Sequence, residues 1–200
     1  MKIGILGTGV VGKTLGARLA ELGHEVKLGG RAAASDHVTF AEAAAFGELL
    51  FNCTHGGAYL EVLQAAGAKN LDGKPLLDVS NPLDFSKGMP PRLLFCNDDS
   101  LGERIQKAFP GAKVVKTLNT LNADLMVHPE KLRGDHEVFV GGNDAAAKQQ
   151  AVSLLKSFGW KNVIDLGDIT SARATEMWLP LWLRLYGAFG NANFNLHIAR

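Results

Sequence analysis

Gly7-Thr8-Gly9-Val10-Val11-Gly12 satisfies the spacing G-x-G-x-x-G. It directly follows an apolar strand, opens a helix and lies inside a β-α-β unit, the context in which that spacing holds a pyrophosphate. Gly7 permits the tight turn, Gly9 lets the main chain approach an anion, and Gly12 lets the helix pack close to the sheet. The helix then offers free N–H groups and a partial positive charge at its N-terminus. About twenty residues on, where a carboxylate would bond a ribose 2′-hydroxyl, the chain instead reads Gly29-Gly30-Arg31. A carboxylate there would repel a 2′-phosphate, whereas a guanidinium can grip one with two bonds, and the hydroxyl of Ser35 can add a contact. The expected ligand is NADP(H), bound by the turn with Gly7, Gly9 and Gly12 and by Gly30, Arg31 and Ser35.

Three more polar stretches end predicted strands, which puts them on the carboxyl edge of a parallel sheet, where open α/β folds bind ligands. They are Thr54-His55, Ser80-Asn81-Pro82 and the run from Lys116 to Thr120. Thr54, His55 and Asn81 are candidates to border the cofactor; each can equally cap backbone, and His55 is as well suited to a structural role as to a pocket wall. Asn143-Asp144 reads as a helix N-cap. Arg173 and Glu176, three apart on a helix, read as a local ion pair. The histidines show no metal-ligand spacing and no G-x-S-x-G follows a strand, so neither a metal centre nor a hydrolase triad is expected.

These residues need a frame, and the chain supplies one by alternation. KIGIL, HEVKLG, ELLFNCT, KPLLDVS, AKVVKTL, HEVFVGG and NVIDLG read as strands, with helical stretches between them; GGAYLEVLQAAG reads as a single helix and residues 93–96 as a short apolar piece. Gly23 ends the first helix, the next helix begins after Thr39, and Ser100 with Glu103 forms a capping-box pattern. Such alternation predicts an α/β protein, a Rossmann-type doubly wound, mostly parallel sheet with a short C-terminal helical extension. The expected division is residues 1–168 for the NADP-binding domain and residues 169–200 for the extension, packed on the same domain or on a second subunit. Met177, Trp178, Leu181, Trp182, Leu185 and Phe189 fall near one face of that extension, with Leu179 and Leu183 also apolar, a stripe expected to be buried in the core or between protomers.

Bulk properties narrow the classes. The chain has 200 residues, 46% hydrophobic and 20% charged, with a formal net charge of +1 from 21 basic and 20 acidic side chains. That suits a globular protein and gives no reason to expect a nucleic-acid or membrane-surface partner. Cys53 and Cys96 sit in apolar stretches and are expected to be buried reduced thiols. The N-terminal apolar run is too short for a signal peptide, and MWLPLWL is broken by Pro180, so a cytoplasmic protein without a membrane span is expected.

Beyond these readings the chain resembles the NADP oxidoreductases typified by the deazaflavin-dependent (coenzyme F-420) NADP reductase. It is also similar to the cytosolic NADPH-binding domain of the six-transmembrane metalloreductases. The resemblance rests on GTGVVGKTLGARLAELGHEV with the following GGR, and on DVSNP, AKVVKTLNTLNA, VFVGGNDAAAK and DLGDITSARATE. It implies hydride transfer from reduced nicotinamide to a flavin or deazaflavin stacked over it, with F-420, FMN or FAD as the small-molecule acceptor. By the same resemblance Thr8, Val10 and Val11 line the pyrophosphate turn, Arg31 takes the 2′-phosphate, and Thr54, His55, Asn81 and Asn119 border the nicotinamide or its partner. The acceptor pocket is then expected at Pro82, Asn119, Thr120 and Leu121. Such transfer needs ring contact rather than an acid, base or nucleophile, so no catalytic side chain is assigned. This chain departs from the deazaflavin reductases in having Ser35 where they tend to carry a second arginine. It also has Asn119 where they have histidine and the metalloreductases have asparagine. A homodimeric NADPH-dependent reductase is the expectation, with an NADP(H)-binding redox sensor lacking turnover as the alternative.

Overall fold

The computed structural model describes residues 1–199. In chain order the elements are β1 (Lys2–Leu6), α1 (Val10–Glu21), β2 (Glu25–Gly30), β3 (Val38–Thr39), α2 (Phe40–Phe46), β4 (Leu49–Asn52), α3 (Tyr59–Ala66), α4 (Ala68–Leu71), β5 (Pro75–Asp78), β6 (Leu83–Asp84), β7 (Arg92–Leu93), α5 (Leu101–Ala108), β8 (Lys113–Thr117), α6 (Ala123–Val127), β9 (Glu137–Gly142), α7 (Ala145–Phe158), β10 (Asn162–Asp165), α8 (Ala172–Met177) and α9 (Leu179–Phe189). Among the described residues one eight-stranded sheet runs β10-β9-β8-β5-β4-β1-β2-β3. All neighbouring strands are parallel except β8 and β9, which pair antiparallel with Val115 opposite Gly142, so β9 and β10 run against the other six.

The strands at the middle of the sheet are apolar on both faces because both faces are covered. Successive side chains alternate between two cores. Ile3, Ile5, Phe51, Leu77 and Val115 pack with Leu15 and Leu19 of α1 and Leu155 and Phe158 of α7. Leu6, Leu50, Leu76 and Val114 pack on the other face with Phe40, Leu63 and Ile105. Caps set the helix ends: Thr39 and Glu42 form a complete capping box at α2, Asp144 accepts from the Ala147 N–H at α7, and Gly23 closes α1 with φ +83°.

The chain departs from its sequence pattern in five places. GGAYLEVLQAAG is a 3₁₀ turn at Gly56–Ala58 followed by α3, and Gly67 at φ +87° separates α3 from α4. Of residues 93–96 only Leu93 is strand, in a two-stranded ribbon where it pairs with Leu83. Arg173 and Glu176 do not pair: the Arg173 Nε–H donates to Glu103 at 2.8 Å, while Glu176 turns inward. The apolar stripe of the extension is also largely uncovered within the chain. Leu179 is buried, yet Met177, Leu181 and Phe189 are 39%, 51% and 56% exposed. The reason is that α9 packs its aromatics on one another and on the tail, Trp182 stacking on Tyr186 at 5.6 Å and Phe189 meeting Phe194 edge-on. Cys53 and Cys96 are free thiols, half-buried rather than buried. No helix among the described residues is long and apolar enough to cross a membrane.

Candidate functional site

β1 feeds the glycine turn where the strand order reverses, with β2 on one side and β4 on the other, the crevice in which open sheets take ligands. The three glycines answer to different neighbours. Gly7 has φ +127°, and a Cβ on it would lie 2.8 Å from the Cys53 carbonyl oxygen. A Cβ on Gly12 would collide with the Gly7 carbonyl oxygen. Around Gly9, its chain neighbours apart, no described atom lies within 4 Å of the place a Cβ would take. Gly9 is also the N-cap of α1, without a side-chain cap bond or an acidic residue in the first turn. Val10 beside it is exposed. The positive end of α1 therefore points into open space, a cradle that fits a pyrophosphate.

Next to the turn a cavity of about 260 Å³ opens at the ends of β1, β4 and β5. It brings together Val11, Thr54, His55 and Asn81 with Ser80 of the same marked stretch, and adds Cys53 and Phe85, which were not candidates for the site. His55 serves two ends: its Nδ1 accepts from the Gly57 N–H at 3.2 Å, and its ring lies 6.1 Å from that of Phe85. The bond assigns the proton of the neutral ring to Nε2. Burial, and behind it the Asp78 carboxylate, push the Cys53 thiol up, so it meets the cavity as a neutral group. Asn81 and Asn119 hold each other: Asn81 Nδ2 donates to the Asn119 carbonyl at 2.8 Å, and Asn119 Nδ2 returns a bond to Asn81 Oδ1 at 3.0 Å. Asn119, Thr120, Leu121 and Pro82 are all buried and do not line this cavity.

Arg31 emerges just past the end of β2. Its Nε lies 3.2 Å from Glu61 Oε1 on α3, with both side chains largely exposed. The next carboxylate in sequence is Asp36, but the fold brings Glu61 to Arg31 across 30 residues. Such an exposed pair is weak, and a phosphate dianion is the stronger partner for a guanidinium. Ser35 lines a groove of about 420 Å³ with Lys27, Leu28 and His37. In the same loop Asp36 is held by Lys13 Nζ at 3.1 Å and by His37 Nδ1 at 2.7 Å. Gly30 is buried at the strand end between the two regions.

Residues 2–82, which carry the glycine turn, Arg31 and the Thr54–Asn81 wall, match the family described as NADP oxidoreductase, coenzyme F420-dependent. Over its whole length the chain is 56% identical to a protein of Arthrobacter sp. FB24 provisionally named an F420-dependent NADP reductase. Each covers 100% of the other, with a TM-score of 0.96 against that crystal structure. The chain belongs to the coenzyme F420-dependent NADP oxidoreductase family. It is 31% identical over 119 residues to the F420-dependent NADP reductase of Methanocaldococcus jannaschii, covering 58% of this chain and 52% of that protein. It is 30% identical over 192 residues to metalloreductase STEAP3 of Rattus norvegicus, covering 91% of this chain and 37% of the relative. The chain thus spans little more than a third of the length of that metalloreductase.

Behind the cavity this family member carries a buried polar cluster. Lys116 Nζ donates to Asp78 Oδ2 at 2.7 Å and to the Ser80 carbonyl at 2.6 Å, and lies 2.9 Å from Glu176 Oε1. Asp78 Oδ1 accepts from Asn52 Nδ2 at 2.8 Å and from the Ser80 hydroxyl at 2.6 Å. Asn52 Oδ1 in turn accepts from the Thr54 hydroxyl at 2.7 Å. Glu176 accepts from the N–H groups of Leu101 and Gly102, opening α5. The signal was Lys116, placed after two valines in the strand AKVVKTL and short of its end, since a fully buried ammonium must be paired. Its partners are not visible in local spacing.

Proposed function

We propose that this protein is an NADP(H)-dependent oxidoreductase that passes hydride by direct contact between the nicotinamide and a flavin or deazaflavin ring. The observation that supports it best is the continuity of the site: the open cradle at Gly9 runs into the 260 Å³ cavity through Val11, and Thr54, His55 and Asn81 wall that cavity. When bound, NADPH supplies the hydride and its electron pair. The chain's part is binding and aim. The first turn of α1 holds the pyrophosphate, and Arg31 exchanges Glu61 for the 2′-phosphate. Thr54, His55 and Asn81 fix one face of the nicotinamide, leaving the other for the acceptor. Pro82, Asn119, Thr120 and Leu121 shape the acceptor side, Asn119 by holding Asn81. Catalysis is then by positioning, which accounts for a site built without an acid–base pair. Pure protein mixed with NADPH and, separately, F420, FMN, FAD or a ferric chelate should oxidise NADPH with a ring acceptor. NADPH that binds tightly and is oxidised with none of them would point to a redox sensor instead. The exposed face of α9, with Leu181, Tyr186 and Phe189, is read as the contact of a homodimer.

A further inference from the structure

We infer that Lys116 is a positioning residue that sets the spacing between the two loops walling the nicotinamide end of the cavity. This rests on the proposed reading of that cavity. One loop follows β4 and carries Thr54 and His55; the other follows β5 and carries Ser80 and Asn81. Lys116 touches neither ring site, yet its Nζ has three partners, two by hydrogen bond and Glu176 by an ion pair, and two of these partners lead to these loops. The Ser80 carbonyl is bound directly. Thr54 is reached through Asp78 and Asn52 by bonds of 2.8 Å and 2.7 Å. The third partner, Glu176, faces away and holds the opening of α5.

Stability alone does not call for such an arrangement. A buried ion cluster is often matched or bettered by apolar side chains of similar volume, and Lys116 and Asp78 are almost wholly enclosed. What an apolar replacement cannot supply is a donor to the Ser80 carbonyl. Burial works against the charge on Lys116, and the Asp78 and Glu176 carboxylates outweigh it, so the group stays an ammonium with three donors.

The test compares affinity for NADPH with affinity for adenosine 2′,5′-bisphosphate, a probe that lacks the nicotinamide half. In the unmodified protein NADPH should bind more tightly, and the ratio measures what the nicotinamide cavity adds. Lys116→Met should lower that ratio roughly tenfold, the effect of one charged hydrogen bond, while the bisphosphate binds as before. Because a lone methionine leaves Asp78 and Glu176 without their cation, the same ratio is read in the neutral variant Lys116→Met with Asp78→Asn and Glu176→Gln. The amide that replaces the Asp78 carboxylate keeps an oxygen for Asn52, so this variant loses the Ser80 tether but no charge balance. A folded neutral variant with the ratio reduced supports the inference. An unchanged ratio overturns it, and so does failure of the neutral variant to fold, which would assign the cluster to the fold. Equal affinity for both probes in the unmodified protein would remove the reading of the cavity, and the inference with it, before any variant is made.

Discussion

Arg31 is held by an exposed carboxylate, Glu61, that a bound 2′-phosphate would have to replace. Two opposite outcomes follow. Arg31→Ala should weaken NADP binding by about tenfold or more, the cost of a charged hydrogen-bond partner, and leave NAD binding almost untouched. Glu61→Ala should tighten NADP binding, because it frees the guanidinium, again without effect on NAD. Titration calorimetry with both cofactors decides; equal loss of both in Arg31→Ala would assign the side chain to the adenine or to the fold. The arginine was legible because its meaning depends on a fixed distance from the glycine turn. Glu61 was not, since helix α3 brings it alongside only once the sheet has formed.

Elements whose cause is local were the readable ones. The β1–α1–β2 unit and the caps at Thr39, Ser100 and Asp144 depend on residues a few positions apart. The direction of β9 was hidden, because an apolar strand reads alike either way and pairing with β8 decides it. Arg173 shows the same limit. An i,i+3 pair with Glu176 is worth a few tenths of a kcal/mol, less than the buried ammonium and two N–H groups that claim Glu176. Arg173 therefore reaches Glu103 and ties α8 to α5. Its guanidinium, against some burial, holds the Glu103 carboxyl below the ordinary glutamate range. A depressed value in the folded state stabilises above the unfolded value and is lost as pH falls through the folded one. Thermal unfolding followed from neutral to acid pH should show that loss, and Arg173→Ala should flatten it. An unchanged acid slope in Arg173→Ala would mean that the contact between α8 and α5 contributes nothing through charge.

For the molecule as a whole, the open question set by the sequence was where the extension's apolar stripe would be covered. Within one chain it is not: α9 leaves Leu181, Tyr186 and Phe189 outward. Light scattering should therefore find a dimer, and Leu181→Asp with Phe189→Asp should yield a monomer that still binds NADP. A monomeric unmodified protein would leave the face without a second copy. The same whole-molecule view sorts the glycines of the first turn by what selects them. Gly7 and Gly12 are excluded from change by the protein's own atoms, so a selection for folding alone would keep both. Gly9 has only open space before it, so such a selection would let it drift. Gly9→Ala should melt like the parent protein and bind NADP poorly, whereas Gly12→Ala should melt early. The absence of a side chain at residue 9 is then a trace of the ligand, preserved in a place where the fold itself asks for nothing.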